Sequence, residues 1–310
     1  MQNLKDEILE IRARAELCFE KNRSLKLPPH VPYLGMGSSY NAALVASYCG
    51  ASIQPFLASE YYWYLAKKKE PLGVLISQSG ETSEILWSTQ KFEKVVAITN
   101  NPDSALAKAQ NTAQTIELHA GEEGFSATKT YINTLLCLYL GLGMDPSKAI
   151  GKLEDSLSSY ASLAQQEAEA ISRYMQARST KGLFVLGSGP NWGTAKQGAL
   201  LLSETTTFAW QGMSVEEYDH GYKETAENSI VIFLMGNYKN SKRADSVRNI
   251  LKQKSNANIL ECREEQLPET LSPFLHILHL DLLAQALQEH LHIDGNWKIG
   301  EKITRAEKSA

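Results

Sequence analysis

LFVLGSGPNWGTAKQGALLL (residues 183–202) reproduces the layout of YLGMGSSYNAALVASYC (33–49). Each is an apolar, strand-like run followed by G-x-G, a polar turn and a helix-like stretch rich in small residues. Gly35/Gly37 and Gly187/Gly189 are offset by 152 residues, 187 against 35. Outward from the first copy, GVLISQS (73–79), VVAITN (95–100) and TIEL (115–118) predict strands, as does VPYLGM (31–36). SYNAALVASYCGA (39–51), TSEILWSTQKFE (82–93) and Thr128 to Leu142 predict helices. Outward from the second, SIVIFLM (229–235), ANILEC (257–262) and the helix-like LLAQALQEHL (282–291) echo the later elements. Strands alternating with helices imply parallel pairing in an α/β sheet. Apolar runs, in place of clean alternation, imply that both sheet faces are covered. The chain is a duplication.

An amphipathic helix carrying Leu4, Ile8, Ile11, Ala15 and Cys18 opens the chain, and Pro28, Pro29 and Pro32 end it. The expected organisation is an N-terminal helix (1–27), a first domain (28–146), a helical connector (147–180), a second domain (181–292) and a tail (293–310). A length of 310 residues suits two domains or one doubled unit. Lys+Arg 31 against Asp+Glu 35 gives a net charge of −4 with no basic stripe, which excludes a nucleic-acid binder. The longest apolar stretch, Tyr131 to Met144, is short for a bilayer and carries Asn133 and Thr134; the N-terminus has no apolar signal core. No membrane association is expected. Cys18, Cys49, Cys137 and Cys262 form no C-x-x-C pair, as expected in a reducing cytoplasm. His276 and His279 sit among Phe274, Leu275, Ile277, Leu278 and Leu280 and read as packing histidines, not metal ligands.

The third apolar run leads into Ser77-Gln78-Ser79-Gly80-Glu81-Thr82-Ser83 and then a helix. Hydroxyls, a permissive glycine and the free N–H groups of a helix start suit an anion such as phosphate. Ser79 and Thr82 read equally as helix caps. A second hydroxyl-rich strand end, Gly37-Ser38-Ser39-Tyr40-Asn41, is placed to line the same crevice. The matching place in the second half, Met235-Gly236-Asn237-Tyr238, has lost the hydroxyls, so one phosphate loop per chain is expected. The G-x-G turns lack the third glycine of a dinucleotide fingerprint.

SQSGETSE (77–84), GSSYN (37–41), FSATKTY (125–131) and the paired halves resemble double sugar isomerase (SIS) domain proteins. Among them are the isomerase domain of glucosamine-6-phosphate synthase, amino-sugar-phosphate deaminases and fructosamine-6-phosphate deglycases. The resemblance implies two tandem α/β domains, each a parallel five-stranded flavodoxin-like sheet flanked by helices. It implies that Ser39, Ser77, Gln78, Ser79 and Thr82 hold a 6-phosphosugar, that Ala127 and Thr128 lie in a loop lining the sugar, and that Lys129 is structural. Glu204 in GALLLSET matches the family's proton-transfer glutamate, and His220 in EEYDHGYKE its ring-opening histidine. Lys302 in GEKITRAE matches a lysine that closes over the open-chain sugar. It implies further that the histidine loop reaches the neighbouring subunit's site in a homodimer.

The chemistry of these groups agrees. Moving a carbonyl between C1 and C2 needs one shielded carboxylate that takes a proton and returns it next door. Ring opening needs a shuttle titrating near neutrality. A lysine stabilises an enediolate or forms an imine. No metal or organic cofactor is called for. Three departures narrow the expectation. The chain begins MQNL, without an N-terminal cysteine or room for a glutaminase domain, so breakdown of an amino sugar is favoured over synthesis. Leu201 replaces a lysine three residues before Glu204, which should raise the glutamate's pKa. His220-Gly221-Tyr222 replaces H-G-P. The expected activity is isomerisation, deamination or deglycation of a 6-phosphorylated sugar; the alternative is a regulator that binds without turnover.

Overall fold

The computed structural model of the chain describes residues 4–124, 126–293 and 299. In chain order the elements begin with α1 (Leu4–Leu9), α2 (Ile11–Asn22), β1 (Pro32–Gly35), α3 (Ser38–Tyr48), β2 (Gln54–Leu57) and the short α4 (Ala58–Glu60). A π-helical turn (Tyr61–Leu65) leads to β3 (Glu70–Ile76), α5 (Ser83–Ser88), β4 (Phe92–Thr99), β5 (Thr112–Glu117) and α6 (Lys129–Gly141). There follow α7 (Ser147–Ala177), β6 (Gly182–Gly187), α8 (Pro190–Thr206), β7 (Gln211–Ser214), α9 (Val215–Asp219), β8 (Ser229–Gly236), α10 (Ser241–Lys254), β9 (Asn258–Glu264) and α11 (Ser272–His290). No helix of the described residues is long and apolar enough to cross a membrane.

The chain forms two compact units. Residues 10–123 and 127–146 make one, which carries a five-stranded parallel sheet in the order β2-β1-β3-β4-β5. β1 is buried along its whole length and the last four residues of β3 are buried, as their apolar sequence demands of central strands. Helix α6 is buried on nearly all sides and packs against α2 and α3. Its Lys129 is fully buried, with Nζ 2.8 Å from Glu10 Oε2 and donating to the Glu122 carbonyl at 2.7 Å, which is the structural role expected of it.

Residues 4–9, 124, 126 and 147–293 belong to the other unit, whose sheet runs β7-β6-β8-β9, again all parallel. Here the expectation of five strands is corrected to four. In the first unit, residues 100–117 after β4 provide a loop and β5; in the second, only seven residues separate β9 from α11, too few for a strand and its return. Most of the 147–180 segment is the 31-residue α7, laid against α11. Both α11 histidines are buried. His276 Nε2 is hydrogen-bonded to Tyr238 Oη at 2.7 Å, and burial, with a smaller effect of His279, drives its pKa down to about 3. His279 Nε2 lies 2.7 Å from Glu167 Oε2; burial opposes its charge, but Cys262 and Glu167 outweigh that and carry its pKa to about 10.

Candidate active site

The order β2-β1-β3 makes the first sheet reverse direction at β1. The chain leaves β1 to one side, forms β2, and crosses back to place β3 on the other. Ligands of open α/β sheets bind at such a switch point, beyond the carboxyl ends of the strands. Both hydroxyl-rich segments lie there: 37–41 follows β1 and 77–82 follows β3, with Leu34 paired to Leu75 near the strand ends.

The loop after β3 is held as a tight cradle. Ser77 Oγ and Thr82 Oγ1 are 2.9 Å apart, and Ser77 Oγ also accepts from Gly80 N at 3.0 Å. Ser79 Oγ accepts from Glu81 N at 3.2 Å. The Gln78 carbonyl receives Asn100 N at 2.9 Å and Thr99 Oγ1 at 3.2 Å, which pins the loop to the end of β4. Gly80 has φ +68°, and a Cβ there would stand 2.0 Å from Ser104 Oγ. Glycine is therefore required both by the left-handed backbone and by the close approach of Ser104. On the β1 side Gly37, with φ +50°, caps α3, and Ser39 lies half-buried in its first turn. A Cβ on Gly35 would meet Tyr40 N at 2.5 Å, so glycine lets α3 start directly against the strand end.

The helix expected over 82–93 is shorter than its pattern predicts. α5 covers six residues and tightens into a 3₁₀ turn at Thr89–Lys91, because Phe92 already belongs to β4. So short a helix concentrates little positive charge at its start, and the attraction for an anion falls to the hydroxyls and loop N–H groups.

The 127–130 segment is built differently from a free sugar-lining loop. Thr128 donates its backbone N–H at 2.9 Å and its hydroxyl at 3.0 Å to Glu123 Oε1. Thr130 N donates to the same oxygen at 3.2 Å, and the Thr130 hydroxyl binds Glu123 Oε2. Glu123 is half-buried with its carboxylate turned inward; desolvation raises its pKa against these hydrogen bonds, which lower it. It serves as the cap of α6 from outside the helix. Glu123→Ala is expected to cost about 2–4 kcal/mol, because it strips two backbone donors and two hydroxyls of their acceptor. Denaturant unfolding and hydrogen exchange at Thr128 and Thr130 would show it. With the Thr128 hydroxyl committed, Ser126 beside this stretch is fully buried, and its Oγ has no hydrogen-bond partner among the described residues. Its place in a Ser-Ala-Thr triplet was the only signal for it in the sequence.

In the second unit the equivalent crevice, between the ends of β6 and β8, is filled. Tyr238 is buried over Gly236 and bonded to His276, and a Cβ on Gly236 would meet its ring at 2.4 Å. Carboxylates crowd this end: Ser188 Oγ donates to Glu216 Oε2 at 2.9 Å, and Glu269 Oε1 lies 3.3 Å from where a Gly189 Cβ would be. A phosphate would meet negative charge where the first unit offers hydroxyls.

Glu204 lies half-buried two residues before the end of α8. α8 starts at the carboxyl end of β6 and, at about 1.5 Å per residue, runs back to the amino ends of the strands. There Ser203 Oγ accepts from Trp210 N at 3.0 Å, just before β7 begins. His220 is exposed at the end of α9, past the opposite, carboxyl end of β7. Beside it, Asp219 pairs with Lys223 and Arg243, and its pKa is lowered chiefly by the hydrogen bond from Lys223. Glu204 and His220 are thus set at opposite ends of the same sheet. Lys302 lies outside the described residues.

No family model matches the chain. It is 29% identical over 232 residues to the glutamine–fructose-6-phosphate aminotransferase (isomerizing) of Sulfolobus acidocaldarius, covering 71% of this chain and 38% of that one. It is 30% identical over 299 residues to that of Pyrococcus horikoshii, covering 82% and 48%. The chain spans about half or less of the length of these curated relatives. Among solved structures, the C-terminal domain of glucosamine-fructose-6-phosphate aminotransferase from Francisella tularensis superposes with a TM-score of 0.77 at 20% identity, covering 94% of this chain and 96% of that one. Glucosamine-6-phosphate deaminase from Thermotoga maritima gives 0.76 at 20% identity, covering 92% and 94%. These likenesses show the fold.

Proposed function

We propose that this chain, a relative of the double sugar isomerase (SIS) proteins, binds a 6-phosphosugar at the β1/β3 crevice and enolises it between C1 and C2. The observation that carries the reading is the convergence of two hydroxyl-rich strand ends on the switch point of the first sheet. Ser77, Ser79 and Thr82 would hold the phosphate, with Ser39 and Gln78 beside it. The hydroxyls there now bond one another and loop amides, and each would turn its proton toward a phosphate oxygen. Ala127 and Thr128 would line the sugar through their backbone.

Glu204 would take the C2 or C1 proton and return it to the adjacent carbon, and His220 would shuttle the ring-opening proton. Lys302 would stabilise the enediolate or form an imine. The relatives' printed names concern an amino group passed to fructose-6-phosphate or removed from glucosamine-6-phosphate, which favours an amino sugar or glycated amine as substrate. Isomerisation, deamination and deglycation share the same first enolisation. The opposite placement of Glu204 and His220 supports a homodimer in which His220 serves the partner's site, since one sugar cannot touch both ends of one sheet.

The test is NMR in D₂O with glucosamine-6-phosphate, fructose-6-phosphate and a fructosamine-6-phosphate in separate tubes. Loss of the C1 or C2 proton signal, absent in Glu204→Gln, is expected, and the tube that releases amine names the reaction. Phosphorus line broadening with every carbon-bound proton retained would replace this reading with a non-catalytic sensor.

A further inference from the structure

Three residues more than a hundred positions apart at the extremes meet inside the second unit. Glu167 comes from α7, Cys262 from β9 and His279 from α11. One oxygen, the sulfur and one ring nitrogen all lie within 4.8 Å of one another, and all three residues are buried. Their neighbours in sequence give no sign of this, because His279 sits in an apolar run and Cys262 stands alone in its strand.

We propose that Glu167, Cys262 and His279 form a structural binding site for a thiophilic divalent cation, with zinc the best match. Thiolate, imidazole and carboxylate are the ligand set of this ion, at bond lengths of about 2.0–2.3 Å. A tetrahedron of that size separates its ligand atoms by about 3.3–3.8 Å, which the present cluster brackets. The 2.7 Å Glu167–His279 contact has to open slightly, and the cysteine sulfur has room to close.

Charge bookkeeping favours the ion as well. A dication with one thiolate, one carboxylate and a neutral imidazole sums to zero, so no net charge is buried. Binding releases two protons, one from the thiol and one shared by Glu167 and His279. The fourth position falls to the second Glu167 oxygen or to water.

The surroundings are those of a supported ligand. The Tyr160 ring stacks on His279 with centroids 5.0 Å apart, and its hydroxyl is fixed by donating to Glu264 Oε2 at 3.0 Å. Packing of this kind sets the orientation of an imidazole ligand. The ion would tie α7, β9 and α11 together, a role independent of the proposed sugar chemistry.

Because the cluster is buried, the full chain is to be unfolded under reductant and refolded with one equivalent of cobalt(II) or zinc(II). One metal per chain is expected to survive gel filtration. The cobalt form should show tetrahedral d–d bands and a sulfur-to-cobalt charge-transfer band. X-ray absorption should count one sulfur at about 2.3 Å beside lighter ligands at about 2.0 Å. Cys262→Ser and His279→Gln should lose the retained metal. Folded wild-type chain that elutes metal-free overturns the proposal, as does a folded Cys262→Ser chain that keeps the bands. A count of two sulfurs also overturns it, since it would place the ion at Cys18 and Cys137, whose sulfurs are 3.7 Å apart. Should the variants fail to fold, the sulfur count on the wild type decides alone.

Discussion

Gly80→Ala is expected to weaken binding of a 6-phosphosugar by about a hundredfold or more, since the loss of two charge-assisted hydrogen bonds at about 1.5 kcal/mol each already reaches that figure. The new Cβ meets two obstacles at once. A left-handed alanine costs about 1–2 kcal/mol, and the methyl would stand 2.0 Å from Ser104 Oγ and 2.3 Å from Ser104 Cβ. Ser104 cannot swing clear, because its own β-carbon is in the way. The loop must move instead, and that breaks the Gly80 N to Ser77 Oγ bond that sets the hydroxyl's direction. Phosphorus NMR line broadening against sugar phosphate measures the binding loss. Ser104→Gly in the same chain removes both clashing atoms but leaves the backbone cost, so it should restore binding only in part. Full binding by Gly80→Ala alone would mean that the 77–82 cradle does not hold the phosphate.

That cradle was legible in the sequence because its signals are local. Hydroxyls at 77, 79 and 82, a glycine at 80 and an apolar run before them all act within one turn of chain. The strand ends at 35 and 76 could be seen as equivalent places because β1 and the last four residues of β3 are buried and read as apolar runs. β2 and β7 gave no such run. They are four-residue edge strands, QPFL and QGMS, largely unburied and carrying Pro55 or Gly212. Without β2 the reversal of direction at β1 cannot be seen, so the crevice was inferred from its lining and not from its topology. α11 hid nearly its first three turns, residues 272–281, for a different reason. Residues 272–284 are buried all round, which erases the periodicity that marks an amphipathic helix. The Glu123 cap and the Glu167, Cys262 and His279 cluster were out of reach for a third reason: each depends on side chains converging from separate elements, which only the folded chain reveals.

The sharpest consequence of the second unit's geometry is that two inactive chains should rescue each other. Glu204→Gln removes the proposed base and His220→Ala the proposed shuttle, and each homodimer is expected to be inactive. If the sites were complete within one chain, every mixed dimer would carry one defect per site and stay inactive. With His220 serving the partner's site, a mixed dimer pairs the intact glutamate of one copy with the intact histidine of the other in one of its two sites. The second site collects both defects. Random assembly makes about half of the dimers mixed, so an equimolar co-expression should recover about a quarter of wild-type proton exchange. The placement that motivates this prediction is that Ser203, beside Glu204, is tied to Trp210 at the start of β7, whereas His220 lies beyond the far end of that strand. Purified mixed dimers, carrying different affinity tags on the two chains, that show no exchange would confine His220 to its own copy. The proton shuttle would then have to be sought elsewhere than at His220.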